Sequence, residues 1–97
     1  MAQQEIASAI EKIVRDLAPD VVRIRFELGD DWSGDPAVFF RIVLSDKASN
    51  PRRLREITHK VSDQILKELD LYAFGLLPYF SYRSASEQAE LKEPAWA

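Results

Sequence analysis

Apolar residues in the first seventeen positions recur at helical spacing. Ile6, Ile10, Ile13, Val14 and Leu17 stand three or four apart. Glu11, Lys12, Arg15 and Asp16 fall on the other side, so the chain opens with an amphipathic helix. Pro19 stops it, because proline has no N–H to donate and biases the preceding residue away from helical angles. The period then changes to two. In VVRIRFEL, Val22, Ile24, Phe26 and Leu28 share one face, and Arg23, Arg25 and Glu27 share the other. That alternation predicts a half-buried strand. AVFFRIVL predicts a second strand, with Val38, Phe40, Ile42 and Leu44 on the apolar parity and Phe39, Arg41 and Val43 opposite. GDDWSGDP, residues 29–36, joins the two with two glycines, three aspartates and a proline. This composition predicts a turn, and one longer than the roughly two to five residues of most hairpin loops.

Asn50 and Pro51 then mark a helix start, since asparagine caps well and proline suits the first helical position. Leu54, Ile57, Val61, Ile65 and Leu69 trace one stripe to about residue 70. Gly75 and Pro78 break any continuation, which leaves a helical turn near 70–75 and a strand over about 76–84. Pro78 cannot donate to a ladder, so that strand belongs at an edge or begins near the proline. SASEQAELKEPAWA reads as a short helix capped by Ser84 or Ser86, with Trp96 beyond Pro94. The order α-β-β-α-β predicts an α+β two-layer sandwich: a three-stranded, mainly antiparallel sheet with two helices on one face. Residues 1–85 form a single domain in this reading, and 86–97 a C-terminal tail, short helix or extended. The expected core is Ile10, Ile13, Leu17, Ile24, Phe26, Phe40, Ile42, Leu54, Ile57, Val61 and Ile65.

Composition narrows the functional classes. The chain has 97 residues, 46% hydrophobic and 30% charged, which suits one small globular domain. It has no cysteine and a single histidine, His59. Disulfide scaffolds, thiolate metal sites, cysteine nucleophiles and histidine pairs are therefore excluded. No apolar run approaches the roughly 20 residues of a membrane span. The N-terminal MAQQEIASAIEK carries charges every few residues, unlike a signal peptide. A cytoplasmic protein with no membrane association is expected. The net charge of −3 argues against wholesale coating of nucleic acid but allows a local basic patch.

Three constellations could carry chemistry. Glu27, Asp30, Asp31 and Asp35 cluster around the hairpin turn. They read as a solvated turn, an acidic docking surface or a hard-cation site, although the ligand spacing of a calcium loop is missing. Trp32 at the tip either folds back or is offered to a partner. Second, strand parity puts Arg23, Arg25, Arg41 and Arg83 on the sheet face away from the helices, with Phe39 and Tyr79. Arginines interleaved with aromatics suit a protein interface, nucleic-acid contact or an inert exposed sheet. Third, Arg52 and Arg55 at the start of the second long helix could meet an anion or simply be solvated. His59 projects away from the apolar stripe of that helix.

The element order over about residues 1–84 resembles the second topology of the K-homology domains, which bind single-stranded nucleic acid. That family's G-x-x-G loop between helices is missing here, where Gly75 stands alone, so its backbone clamp does not carry over. Sequence motifs for phosphate loops, dinucleotide binding and nucleophile elbows are also absent. The expectation is a small interaction module without catalytic residues, cofactor or metal. It would bind another protein or itself, for instance as the regulatory or neutralising subunit of a two-component system. The partner-binding residues would be Arg23, Arg25, Trp32, Phe39, Arg41, Arg52, Arg55, Arg83 and Trp96. The alternatives are a nucleic-acid module using the Arg/aromatic face, with nucleic acid as partner, and a metal-dependent hydrolase built on the aspartate loop.

Overall fold

The structure is a computed structural model describing residues 2–97. Helix α1 spans Ala2–Asp16, followed by strands β1 (Val21–Asp30) and β2 (Pro36–Leu44). Helix α2 spans Pro51–Glu68, strand β3 Leu77–Ser84 and helix α3 Ala85–Leu91. Short 3-10 turns cover Leu71–Phe74 and Pro94–Trp96. The α+β class stands. The sheet, ordered β1-β2-β3, is mixed rather than mainly antiparallel: β1 pairs antiparallel with β2, and β3 runs parallel to β2. The cause is α2, which carries the chain back along the sheet before β3 begins, as a parallel pair requires.

The local signals act as their chemistry predicts. Asn50 accepts the Arg52 amide with its side chain and Pro51 opens α2. Ser84 caps α3 by accepting the Glu87 amide. Asp70 caps the first 3-10 turn, and Gly75 ends it in the left-handed region at φ 70°, which a Cβ would disfavour. No paired-glycine loop is formed there.

Ile6, Ile10 and Ile13 of α1 meet Ile57, Val61 and Ile65 of α2 over Ile24, Val38, Phe40, Ile42 and Leu44 of the sheet. Both long helices therefore lie on one face. Several expectations are corrected. A bulge between Val21 and Arg23 turns Val21 into the core and leaves Val22 42% exposed, so the β1 alternation starts one residue earlier than its pattern suggests. The hairpin pairs as far as Asp30 opposite Pro36, leaving the ordinary five-residue loop 31–35. Leu54 is 38% exposed rather than core, because a cleft opens between α2 and the end of β3. Leu17 and Phe26 are only half-buried, at the margin of the cluster.

Candidate functional site

The second sheet face carries Arg23, Arg25 and Glu27 from β1, Phe39, Arg41 and Val43 from β2, and Tyr79, Ser81 and Arg83 from β3. The register places Arg25 opposite Arg41, Glu27 opposite Phe39, and Phe39 beside Tyr79. The tail divides this face in two.

One half is covered by the segment after β3. Trp96 is buried to 6% exposure on the sheet, with the Arg83 guanidinium 4.3 Å from its ring centroid. Arg83 also donates to Gln88 Oε1 at 3.0 Å and to Glu93 Oε1 at 2.7 Å. Gln88, buried on α3, donates onward to the Glu93 carbonyl at 2.9 Å. Arg23 Nε donates to the Trp96 carbonyl at 2.9 Å, and Arg25 Nε to the Ala97 main-chain oxygen at 2.6 Å. Asp46, in the loop after β2, accepts both the Ser86 amide and its hydroxyl. The Ser86 hydroxyl, followed by the Ser86 amide, holds the Asp46 carboxyl below its ordinary pKa.

The other half is aromatic and open. Phe39 and Tyr79 stack with centroids 5.4 Å apart, and Trp32 stands edge-on to Tyr79 at the same separation. Trp32 is 84% exposed. The Tyr79 hydroxyl donates to Asp31 Oδ2 at 2.7 Å. Asp31 Oδ1 accepts the amides of Ser33 and Asp35, so the carboxylate organises the whole loop. The Tyr79 hydroxyl is the main reason that Asp31 ionises below its ordinary range, and Asp31 in turn raises the Tyr79 pKa. Arg41 pairs with Glu27 at 2.9 Å beside this patch.

The structure thus brings Arg23, Arg25, Arg83 and Trp96 together under the tail, and Trp32, Phe39 and Arg41 together at the hairpin end. Arg52 and Arg55 lie elsewhere, exposed on the first turns of α2. Arg55 lines a cleft of about 670 Å³ with Leu44, Pro51, Leu54, Tyr82 and Glu87, at the carboxyl ends of the parallel pair. Below that cleft Tyr82 donates to the Thr58 carbonyl at 2.9 Å and bonds the Ser62 hydroxyl. Among the described residues, no group of three His, Cys, Asp or Glu side chains could hold a metal ion. His59 is exposed on α2.

Sequence reasoning missed Gln88, Glu93, Asp31 and Tyr79 as the groups that engage the arginines and fix the tryptophan. Arg83 and Glu93 are ten residues apart and Asp31 and Tyr79 forty-eight, so only the fold joins them. Also among the described residues, no helix is long and apolar enough to cross a membrane. Comparison with protein-family models, curated proteins and solved structures found no match.

Proposed function

We propose that this chain is a small protein-interaction module, not an enzyme, and that it docks a basic segment of a partner protein on the Trp32–Tyr79–Phe39 patch. The observation that carries this reading is Trp32 itself. Its ring is held edge-on by Tyr79, yet 84% of its surface faces solvent. A large aromatic fixed in place loses little side-chain entropy on contact, which is the character of an interface anchor. Asp30, Asp31 and Asp35 flank it in the chain and give the hairpin tip a negative charge. A lysine or arginine brought over the indole would gain both cation–π and Coulomb attraction. A regulatory or neutralising subunit would work through such a patch while the chemistry resides in its partner. The cysteine-free sequence fits a reducing compartment such as the cytoplasm.

Engagement of the arginines favours protein over nucleic acid. Arg23, Arg25, Arg41 and Arg83 all have intramolecular acceptors. Phosphate contact needs basic groups that are free to replace counterions. An NMR titration of the full chain with a short Lys/Arg-rich peptide, its Glu-rich counterpart and a single-stranded oligonucleotide tests the choice. The basic peptide should shift the Trp32 indole and the Tyr79 and Phe39 signals, and Trp32→Ala should abolish the effect. Shifts at Arg23, Arg25 and Arg83 caused by the oligonucleotide, with the hairpin tip unmoved, would replace this reading with the nucleic-acid one.

A further inference from the structure

We infer that the outer edge of β1 is a self-association surface, where two copies pair antiparallel about a two-fold axis at Phe26 to form one six-stranded sheet. The surface differs from the Trp32 patch, so the inference goes beyond the proposed function and the two can fail separately.

The edge itself is the first observation. β1 is ten residues long and lies at the end of the sheet, with β2 on its one paired side. Native proteins usually blunt an exposed edge of this length with proline, a bulge or inward-pointing charge. The opposite edge, β3, carries Pro78. β1 has no proline, its bulge sits at the first residues, and its core-side parity is apolar.

Backbone parity fixes which groups are offered. Asp31 N–H donates to the Asp35 carbonyl at 2.9 Å, which makes 31 and 35 a hydrogen-bonded pair. The register then runs without a break from Asp30 opposite Pro36 to Arg23 opposite Val43. Hydrogen-bonded pairs alternate along an antiparallel ladder, so Arg23, Arg25, Glu27 and Gly29 bond to β2. Ile24, Phe26 and Leu28 therefore direct their N–H and C=O groups outward. A second strand must make its hydrogen-bonded pairs with these three.

Side chains then select the register. With Phe26 opposite Phe26 of the second copy, Ile24 faces Leu28 and Arg25 faces Glu27, each twice by symmetry. The Arg25–Glu27 pairs fall at non-hydrogen-bonded positions, where opposed side chains approach most closely. Shifting the axis to Arg25 sets arginine against arginine, and shifting it to Glu27 sets carboxylate against carboxylate. Only the Phe26 register combines the outward parity with opposite charge at the central pairs.

A cleft supplies the last part. A space of about 390 Å³ runs along this edge between α1 and β1, lined by the apolar Ile10, Val14 and Ile24 and by the charged Glu11, Arg15, Arg23 and Arg25. Leu28 is 40% exposed although it lies on the core-side parity. Opposite Ile24, the Leu28 side chain of the second copy enters this cleft. The exposed leucine and the open cleft thus complete one another across the axis, as an isologous interface requires.

Sedimentation of the full chain over a concentration series tests the inference, with Arg25→Glu, Glu27→Arg and the double exchange Arg25→Glu/Glu27→Arg. The wild type should sediment as a dimer, at twice the 11.1 kDa chain mass. Each single reversal should weaken the dimer about tenfold or more, because it creates two like-charge pairs. The double exchange restores both opposite pairs and should recover the dimer, although it still lacks the Glu27 contact to Arg41 and the Arg25 contact to the Ala97 oxygen. Amide exchange supplies a readout without substitution: the Ile24, Phe26 and Leu28 amides should become protected as dimer forms. A monomer throughout, a dimer indifferent to single reversals, or edge amides unprotected in the dimer would each overturn the inference.

Discussion

Arg83 lays its guanidinium 4.3 Å from the centre of the Trp96 ring while its two terminal nitrogens reach Gln88 and Glu93. One side chain therefore holds both ends of the tail: the helix α3 through Gln88 and the final turn through Trp96. A helix of seven residues has no independent stability in water. Its order comes from this docking, and the docking covers the half of the sheet face away from the hairpin, with Val43 of β2 at 1% exposure.

Trp96→Ala should destabilise the chain by about 3–5 kcal/mol, as removal of a buried aromatic does. Arg83→Lys keeps the charge but loses the planar fork and the stacking, and should cost about 1–2 kcal/mol. Urea denaturation of both variants checks the order of the two effects. A Trp96→Ala protein as stable as the wild type would show that the tail contributes nothing to the fold.

The two long helices and the three strands were legible because each buries a single face, and a buried face imposes period 3.6 or 2 on the sequence. The grouping of Arg23, Arg25, Arg41 and Arg83 on one sheet face followed from parity alone. What parity could not say is that the tail returns to cover half of that face. Trp96 has no periodic context, and its hydrogen-bond donor and its cation partner sit on β1 and β3. The parallel direction of β3 was equally hidden, since a strand reads the same in either direction. Val22 misled because a one-residue bulge leaves no mark in an alternating pattern that begins with two valines. Leu54 fits the stripe of α2, yet β3 ends before it can cover that turn.

Leu54 and Ile65 occupy the same stripe of α2 and should respond differently. Ile65 is fully buried, so Ile65→Ala should cost about 2–5 kcal/mol. Leu54 borders the open cleft, so Leu54→Ala should cost about 1 kcal/mol or less, in line with its smaller burial. Chemical denaturation of the two variants distinguishes them. Equal losses would mean that the cleft is closed in solution.

Tyr82→Phe removes the hydroxyl that joins β3 to α2 through the Thr58 carbonyl and the Ser62 hydroxyl. The ring itself packs against the core and is retained. The loss should be about 1 kcal/mol, the net worth of a hydrogen bond whose partners stay half-solvated. Ser62→Ala should cost less, because Tyr82 keeps its bond to Thr58. A larger loss in Ser62→Ala than in Tyr82→Phe would assign the anchoring to the serine.

Acid should loosen the two halves of the second face through two different carboxylates. Asp31 ionises below its ordinary range because of the Tyr79 hydroxyl, then the Asp35, Ser33 and Gly34 amides. Asp46 does so because of the Ser86 hydroxyl and amide. A carboxyl whose folded pKa is depressed contributes stability above its unfolded pKa and loses it as pH falls through the folded value. Both contributions are therefore complete at neutral pH and disappear only under acid, below the usual carboxylate range. The two tryptophans separate the events. In a Trp32→Phe variant, Trp96 emission should report release of the tail as Asp46 protonates, and Asp46→Asn should flatten that transition. With Trp32 present, Tyr79→Phe removes the largest cause of the Asp31 depression, so the Asp31 carboxyl resonance should titrate at higher pH than in the wild type. The Tyr79 phenol follows the opposite sign: its raised pKa means that its contribution is held below the ordinary tyrosine range and is lost as alkali carries the pH through the folded value. An Asp31 titration unmoved by Tyr79→Phe would show that the loop amides alone hold the carboxylate, and that Trp32 owes its orientation to the turn rather than to the sheet.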